Sequence, residues 1–194
     1  AANAMSLPQE MFDARRDRPG PRAMRVAQML RVDHAGEYGA VQIYRGQLAV
    51  FAGRPGKERV AALIDAMAAG EAAHLGRFDR LLAERRVRPT LLSPLWNAAG
   101  FALGAASALV GEKAAMACTK AVEDVIEAHY AEQAAELDAT DAGLAAELRA
   151  FREDELGHKR TAEAEGAQEA PGYPLLSAVV KAGCRLAIKL SEKV

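Results

Sequence analysis

Two Glu-x-x-His pairs are the residues in this sequence whose types and spacing point most directly to chemistry. His74 follows Glu71 by three residues, and His158 follows Glu155 by the same interval. Residues three apart lie on one face of an α-helix, so each pair can reach one metal ion together. Both pairs lie within stripes of apolar residues at helical spacing, where a carboxylate must be paired or bound to a metal. The two pairs therefore predict a metal site.

A single glutamate precedes each pair in the same kind of apolar stripe. Glu37 precedes Glu71 by 34 residues, and Glu123 precedes Glu155 by 32. The chain thus has two halves, each supplying a glutamate and then a Glu-x-x-His pair from adjacent helices. This pattern is that of the di-iron and di-manganese helical bundles, and carboxylates with imidazoles suit iron or manganese. The predicted metal ligands are Glu37, Glu71, His74, Glu123, Glu155 and His158.

An alternative explanation of the striped glutamates is a bundle with internal ion pairs, in which Glu37 or Glu123 faces Arg45 or Lys120. Buried ion pairs contribute little net stability, so a repeated pattern of them is the weaker interpretation. Glu127 competes with Glu123 for the ligand position on the third long helix. It shares its face with Lys120, and we expect that face to be solvated, so we choose Glu123.

Three further polar residues lie on the same helices as the predicted ligands. His34 lies three residues before Glu37, and His129 lies six residues after Glu123. We expect both to support the site or pack in the core, with metal ligation as the weaker alternative. Asp154 has two interpretations that the sequence leaves open. It either accepts a hydrogen bond from the ring of His74 or His158, or it lies in solvent.

Tyrosines and cysteines give weaker signals. Tyr38, Tyr44 and Tyr130 either line a cavity near the metals or pack as ordinary core residues with a partner for the hydroxyl group. Cys118 is expected to be a small core residue. Two scattered cysteines form neither a disulfide framework nor a structural zinc site, which favours a reducing compartment.

Helical periodicity organises the whole chain, and no strand pattern competes with it. Two long helices, a long crossover and two more long helices have the connectivity of a ferritin-like four-helix bundle, so the predicted fold is all-α. We expect residues 22–194 to form a single domain and residues 1–21 to be a flexible extension. The predicted helices cover 22–51, 57–86, 112–137, 141–164 and a short apolar 175–189, with a partly helical apolar connection over 89–111.

Charge and composition limit the possible functions. The chain has 25 Lys and Arg against 26 Asp and Glu, so its net charge is -1. That balance argues against a dedicated nucleic-acid binder. The 51% hydrophobic content excludes wholesale disorder, and the 5% aromatic content favours helices. The start of the chain has no apolar run behind a basic end, so we expect no signal peptide.

The connection over residues 89–111 contains no charged residue. Its length would span a bilayer, but prolines and glycines interrupt it, so we expect a buried or membrane-surface segment instead. Its likeliest membrane contacts are Leu95, Trp96, Phe101 and Leu103.

Several runs around the predicted ligands are similar to one known family. RVDHAGEYGA at 31–40, AVE at 121–123 with His129 and Tyr130, and FREDELGH at 151–158 closely resemble the demethoxyubiquinone hydroxylases of the Coq7 family. The resemblance covers the chain from about residue 22 to its end. The run at 31–40 is specific to the family, whereas Glu-x-x-His alone indicates only the wider di-iron class.

The resemblance implies a ferritin-like di-iron monooxygenase of ubiquinone biosynthesis. Its substrates would be O2 and a polyprenylated demethoxyubiquinone or its quinol, and two iron ions per chain would be held by the same six ligands. It also implies peripheral contact with the cytoplasmic face of a bacterial inner membrane, and a reductant or other ubiquinone-biosynthesis proteins as partners. No nucleotide-binding fingerprint is present, so electrons would come from a reductase or from the quinol itself. The remaining alternatives are a ferritin-like iron-oxidising or storage protein and a manganese-catalase-like peroxide-detoxifying bundle.

Overall fold

A computed structural model describes residues 20–194, which form α-helices and short connections without a strand. The predicted extension over 1–21 lies almost wholly outside these residues. The all-α prediction is confirmed. The helices are α1 (Pro21–Phe51), α2 (Glu58–Arg85), α3 (Ser93–Val110), α4 (Glu112–Leu137), α5 (Ala142–Ala164) and α6 (Tyr173–Ser191), with a single 3-10 turn at Ala167–Glu169 before α6.

Local signals explain where these helices begin and end. Proline lies in the first turn of α1, α3 and α6, where its missing N–H costs no hydrogen bond. Gly53 and Gly56 have positive φ in the turn between α1 and α2. The carboxylate of Asp141 caps α5 by accepting a hydrogen bond from the backbone N–H of Leu144 at 3.1 Å.

The apolar connection over 89–111 differs from the expectation. Most of it is α3, a full helix of 18 residues that packs along α1. The helix backbones approach closely because Gly100 and Gly104 of α3 face Gly39 and Ile43 of α1, where an added Cβ would collide with backbone atoms. No helix within residues 20–194 is long and apolar enough to cross a membrane. The final helix is also longer than predicted, because Gly172, at φ 68°, and Pro174 start it two residues earlier.

Apolar packing lies on both sides of one polar layer in the bundle. The cluster around Leu30, Phe78 and Leu148 fills one end, and the cluster around Phe51, Ile64 and Ala117 fills the other. On each of α1, α2, α4 and α5, a predicted ligand glutamate lies in the sequence between residues of these two clusters. The fold therefore holds the carboxylates between two layers that exclude water.

Candidate metal centre

Four long helices each contribute one buried glutamate to the centre of the bundle. Glu37 comes from α1, Glu71 from α2, Glu123 from α4 and Glu155 from α5, and each is at most 1% exposed. Four unpaired carboxylates in such a place would carry a large desolvation penalty. Their burial therefore requires protons or cations at the same place.

The structure brings all six predicted ligands together in two overlapping groups. Glu71 and Glu155 belong to both groups. The first group adds Glu37 and His74, and the second adds Glu123 and His158. Within each group, the nearest ligand atoms all lie within 4.8 Å of one another. This arrangement can hold two metal ions that share carboxylates.

Both histidines present the same ring nitrogen to the glutamates. Nδ1 of His74 lies 3.1 Å from Oε1 of Glu155 and 3.7 Å from Oε2 of Glu37. Nδ1 of His158 lies 2.9 Å from Oε1 of Glu71 and 3.2 Å from Oε2 of Glu155. The Glu-x-x-His spacing produces this result, because residues three apart share a helix face.

Several buried carboxylate oxygens in this centre have no hydrogen-bond partner. They are Oε2 of Glu37, both side-chain oxygens of Glu71, and Oε2 of Glu123. Buried polar atoms are almost always satisfied, so each orphan needs an explanation. A set of carboxylate oxygens with two imidazole nitrogens is the donor set that iron and manganese accept, and the residues present fit such ions.

The pKa values of the glutamates reflect the same crowding. Burial, followed by repulsion from the neighbouring carboxylates, raises the pKa of Glu71 and of Glu123 well above the usual value. For Glu155 burial acts in the same direction, but hydrogen bonds from His158 and His74 lower its pKa to about 2. Glu71 and Glu123, whose pKa values are raised, also carry side-chain oxygens without a hydrogen-bond partner.

Asp154 lies at the outer side of His74. Its Oδ2 is 3.1 Å from Nε2 of His74, while Nδ1 of the same ring faces the glutamates. Burial lowers the pKa of His74, but the hydrogen bond with Glu155 and the nearby negative charge of Glu37 outweigh it and raise that pKa to about 11. Both features that the sequence left open for Asp154 are present, because its side chain is 63% exposed and also lies at hydrogen-bond distance from His74.

Two of the three tyrosines contact ligand carboxylates. The hydroxyl of Tyr44 donates to Oε1 of Glu123 at 3.0 Å, and that of Tyr130 donates to Oε1 of Glu37. Tyr38 lies elsewhere, since its hydroxyl accepts a hydrogen bond from Asn97 of α3 at 2.8 Å.

Neither of the remaining histidines belongs to the two ligand groups. Nε2 of His34 lies 3.0 Å from Asp79. His129 contacts the side chain of Gln133, which also donates to the buried Asp33 at 2.9 Å. Sequence reasoning missed Asp33 because its partner is 100 positions away along the chain.

The helix face that carries Glu127 is not solvated, contrary to the expectation. Lys120, Lys159 and Lys181 surround the carboxylate of Asp124 with nitrogen–oxygen distances of 2.6–3.0 Å. Burial opposes ionisation there, but the three lysines lower the pKa of Asp124. Glu127 itself accepts a hydrogen bond from Arg152 at 3.0 Å. The prediction failed because α5 and α6 cover this face.

The internal ion-pair alternative is also wrong for the residues named. Lys120 pairs with Asp124 and Glu163, and Arg45 is exposed and pairs with no acidic residue within 20–194. Cys118 is fully buried, which raises the pKa of its thiol to about 12, as expected of a core residue.

An apolar cavity of about 430 Å³ adjoins the glutamate layer. Gly36 and Val122 line it, and they directly precede Glu37 and Glu123 in the chain. Helices α1, α3, α4 and α6 form the walls, and Ser191 is the one hydroxyl-bearing side chain among the described lining residues. Its volume is that of a small-molecule site.

Comparisons with known proteins agree with this geometry. Residues 24–191 match the family model described as "Ubiquinone biosynthesis protein COQ7". The chain is 51% identical over 176 residues to a 3-demethoxyubiquinol 3-hydroxylase of Rhodospirillum rubrum, covering 91% of this chain and 81% of the relative. It is 49% identical to the mitochondrial NADPH-dependent 3-demethoxyubiquinone 3-hydroxylase of Rattus norvegicus, covering 87% and 77%.

A more distant relative is also named as a demethoxyubiquinone hydroxylase. The mitochondrial 5-demethoxyubiquinone hydroxylase of Saccharomyces cerevisiae is 39% identical, over 86% of this chain and 77% of the relative. A family match over nearly the whole chain thus coincides with a buried carboxylate and histidine centre beside an apolar cavity. The chain belongs to the COQ7 family of ubiquinone biosynthesis proteins.

Proposed function

We propose that this protein is a di-iron monooxygenase that uses O2 to hydroxylate the ring of a polyprenylated demethoxyubiquinone or its quinol. The observation that carries the proposal is the pair of ligand groups that share Glu71 and Glu155, next to an apolar cavity. Membership of the COQ7 family and the names of the relatives support the reaction and the substrate class.

Two iron ions are held by six side chains in this proposal: Glu37, Glu71, His74, Glu123, Glu155 and His158. When bound, iron supplies the redox chemistry by which O2 is reduced and one oxygen atom is inserted into the substrate. The protein fixes the geometry of the ligands and the access to them.

Hydrogen bonds and packing hold the ligands in place before iron binds. Tyr44 and Tyr130 each fix one outer carboxylate by donating to it, and Asp154 fixes the ring of His74. The apolar layers above and below the glutamates exclude water from the reacting atoms. Phe151 adds to this barrier, with its ring centre 4.5 Å from that of His74.

The cavity holds the substrate in this proposal. A benzoquinone ring with an isoprenoid tail is largely apolar, and so are the walls. Gly36 and Gly39 line the cavity with no atom within 4 Å of where their Cβ would lie, so this wall leaves room for a flat ring. The wall formed by α6 then accommodates the tail.

Helices α3 and α6 also carry the surface that we propose contacts the membrane. Eight of the eleven exposed large apolar side chains within residues 20–194 lie on these two helices, and we refer to them as the apolar face. They are Leu95, Phe101, Leu109, Val110, Leu175, Val179, Leu186 and Leu190. Burying apolar area in the lipid interface contributes about 25 cal/mol per Å². This contact would be peripheral, at the cytoplasmic face of a bacterial inner membrane.

The four membrane contacts expected from the sequence divide into two kinds. Leu95 and Phe101 are 53% and 42% exposed and belong to the apolar face. Trp96 and Leu103 instead line the cavity, and the indole N–H of Trp96 donates to Ser191 of α6 at 3.0 Å. The helical twist of α3 turns these two side chains inward, which could not be predicted for a connection expected to be only partly helical.

The reaction also needs electrons from outside the described centre. Conversion of a ring C–H and O2 to a ring C–OH and water consumes two electrons and two protons. The sequence has no dinucleotide-binding fingerprint, and the relative from Rattus norvegicus is named as NADPH-dependent. We propose that a reduced nicotinamide nucleotide, acting directly or through a reductase, supplies the electrons.

Two alternative functions use similar ligands. Iron storage and peroxide detoxification need no apolar substrate cavity beside the metals. The 430 Å³ cavity and the hydroxylase names of the relatives favour the hydroxylase.

Oxygen-18 labelling tests the proposed reaction. Iron-loaded protein, a demethoxyubiquinol in detergent, a chemical reductant and 18O2 should give a product whose new hydroxyl carries the label. The variant Glu71→Ala should give no product, because it removes a residue that belongs to both ligand groups. Label-free product, or equal turnover by the variant, would contradict the proposal.

A bulky residue in the cavity tests the proposed substrate site. Gly183 lines the cavity and has open space where its Cβ would lie, whereas Ala182 beside it does not line the cavity. Gly183→Leu should raise KM for a long-tailed quinol by about 10-fold, the scale expected for filling a ligand pocket, and leave iron content unchanged. Ala182→Leu is the matched control and should leave KM unchanged. A similar rise in both variants would place the tail elsewhere.

A further inference from the structure

A wide groove at one end of the bundle concentrates positive charge. It lies between the first turns of α1 and the end of α2, with residues 136–141 on its far side, and its volume is about 930 Å³. Its volume and position separate it from the apolar cavity, with which it shares no lining residue. Within residues 20–194, the arginines that line the groove are Arg22, Arg25, Arg31, Arg85, Arg86 and Arg88.

Most of this charge is not neutralised within residues 20–194. Arg25 pairs with Glu136 at 2.9 Å, and Arg85 pairs with Asp141 at 2.7 Å. The four other arginines form no ion pair with the acidic residues of 20–194. The protein as a whole has a net charge of -1, so this excess is local to the groove. Guanidinium groups gathered in a concave site suit phosphate, which they bind in a bidentate manner.

The backbone of Arg86 gives a second, independent observation. It is the one non-glycine residue with positive φ within residues 20–194, at φ 54° and ψ 39°, and it follows the last turn of α2. Glycine is the usual residue at such a position, and a side chain there costs about 1–2 kcal/mol. The left-handed backbone at Arg86 thus places an arginine, where glycine is usual, at the edge of the arginine-lined groove.

The groove borders the apolar face. Arg25 and Gln28 of α1 contact the carboxyl end of α6 through Glu192, at 3.9 Å and 3.4 Å. Trp96 near the start of α3 donates to Ser191 of α6, which joins the same ends of these two helices. Leu91, three residues after Arg88, is 83% exposed. Positive charge thus lies at one end of a surface that presents leucine, valine and phenylalanine to its surroundings.

We propose that the arginine groove binds the phosphate of anionic phospholipid head groups. The neighbouring apolar face favours a lipid as the source of phosphate, because a bilayer would bury that face as well, whereas a free phosphate would leave it exposed. Lipid held in the groove would fix the orientation of the docked protein, with α3, α6 and the cavity between them toward the acyl chains. Lipid binding by the groove does not depend on the proposed function. The proposed function only identifies the molecule that would enter the cavity from the membrane.

Vesicle binding with a charge-matched control tests the proposal. The full chain is mixed with vesicles of pure phosphatidylcholine or of phosphatidylcholine with phosphatidylglycerol, and bound protein is measured by flotation. Arg22→Gln, Arg86→Gln and Arg88→Gln are combined in one variant. The control combines Arg54→Gln, Arg80→Gln and Arg160→Gln, which lose the same charge from exposed positions outside the groove.

The groove variant should bind the anionic vesicles on the order of 100-fold more weakly, since each basic residue near such a surface contributes about fivefold. The control should lose less than about 10-fold, because its three arginines lie outside the groove and contribute only to overall charge. Equal losses in both variants would overturn the proposal, because they would indicate attraction by overall charge alone. Equal binding of wild type to both kinds of vesicle would also overturn it.

A single substitution separates lipid binding from folding. Arg86→Gly removes one positive charge and also relieves the left-handed backbone strain. We expect its melting temperature to rise while its affinity for anionic vesicles falls by about fivefold. Unchanged vesicle affinity with a raised melting temperature would show that Arg86 is only a strained helix end.

Turnover measurements distinguish this proposal from the proposed function and from nucleotide binding. With a short-tailed quinol in detergent, the groove variant should keep wild-type kcat and the wild-type KM for NADPH. A raised KM for NADPH without loss of vesicle binding would assign the groove to a dinucleotide and overturn the lipid proposal. Absence of hydroxylation by the wild type, with groove-dependent vesicle binding, would instead contradict only the proposed function.

Discussion

The two halves of the candidate metal centre offer the same ligand types but hold their histidines differently. In the first half, Asp154 contacts Nε2 of His74 at 3.1 Å, and the side chain of His74 is 6% exposed. In the second half, His158 is 15% exposed and has no carboxylate at Nε2 within residues 20–194. Its ring lies against Gly70 of α2, where an added Cβ would be 3.2 Å from Nε2. A charged hydrogen bond fixes one ring, and close packing against a glycine fixes the other.

The comparison shows how a repeated sequence pattern produces a centre with unequal halves. The Glu-x-x-His spacing places each Nδ1 toward the glutamates, but the far side of each ring depends on the neighbouring helix. Asp154 comes from α5 and reaches His74 on α2, whereas Gly70 on α2 makes room for His158 on α5. We therefore expect metal affinity to depend on electrostatics in the first half and on available space in the second.

The largest effect is expected from removing a glutamate that belongs to both halves of the centre. Glu155 belongs to both ligand groups, so Glu155→Ala should reduce the iron content to about a tenth of the wild-type value or less, as loss of a shared ligand from a two-metal site implies. Glu123→Ala, which affects one group, should retain more iron than Glu155→Ala. Metal analysis of both purified variants checks the order. Equal iron contents would mean that the halves do not share Glu155.

A smaller effect is expected from the charged hydrogen bond of the first half. Asp154→Ala should weaken iron binding by about 10- to 100-fold, because partners behind a ligating histidine orient the ring and raise its basicity. Titration with Fe(II) under anaerobic conditions measures the affinity. The control is Glu153→Ala, an exposed acidic residue beside Asp154 that contacts neither histidine. If both variants bind iron like the wild type, His74 does not depend on Asp154.

The smallest effect is expected from filling the space between Gly70 and the ring of His158 in the second half of the centre. Gly70→Ala should change the stability of the metal-free protein by less than the gain of about 0.5–1 kcal/mol that replacing a helix glycine usually gives, because the added Cβ would lie 3.2 Å from Nε2 of His158. It should also weaken iron binding by about 2- to 10-fold, since displacing a side chain from its rotamer costs about 0.5–1.5 kcal/mol.

Gly76 on the same helix supplies the matched control. The nearest atom to an added Cβ there is the end of the flexible Arg80 side chain at 3.8 Å. Gly76→Ala should therefore raise the unfolding free energy without changing iron affinity. Melting curves of both metal-free variants and the same iron titration test the pair. An iron affinity that falls equally in both would contradict the role of Gly70.

The sequence was most informative where helical periodicity decides which side chains meet. The stripes of α1, α2, α4 and α5 carry four glutamates and two histidines to one layer, because spacing of three and four residues defines one helix face. Periodicity also placed the bounds of these helices within one residue of the structure. That the six residues bind iron remains a prediction.

Contacts between distant helices could not be predicted in the same way. Asp154 could be assigned to His74 only after α2 and α5 were in place. The low polarity of the 89–111 connection did not indicate that its glycines would press α3 against α1 and turn Trp96 inward. The face of Glu127 was misjudged because lysines from two other helices neutralise Asp124 and cover it. Each of these features depends on the order and packing of the helices, which periodicity within one helix does not determine.

Mössbauer spectroscopy of the oxidised, 57Fe-loaded protein tests the central claim most directly. We expect two irons per chain whose spins are coupled, because Glu71 and Glu155 belong to both ligand groups. The spectrum should then show a diamagnetic ferric pair. One iron per chain, or two ferric ions with independent magnetic spectra, would contradict the claim that the two halves form one metal centre.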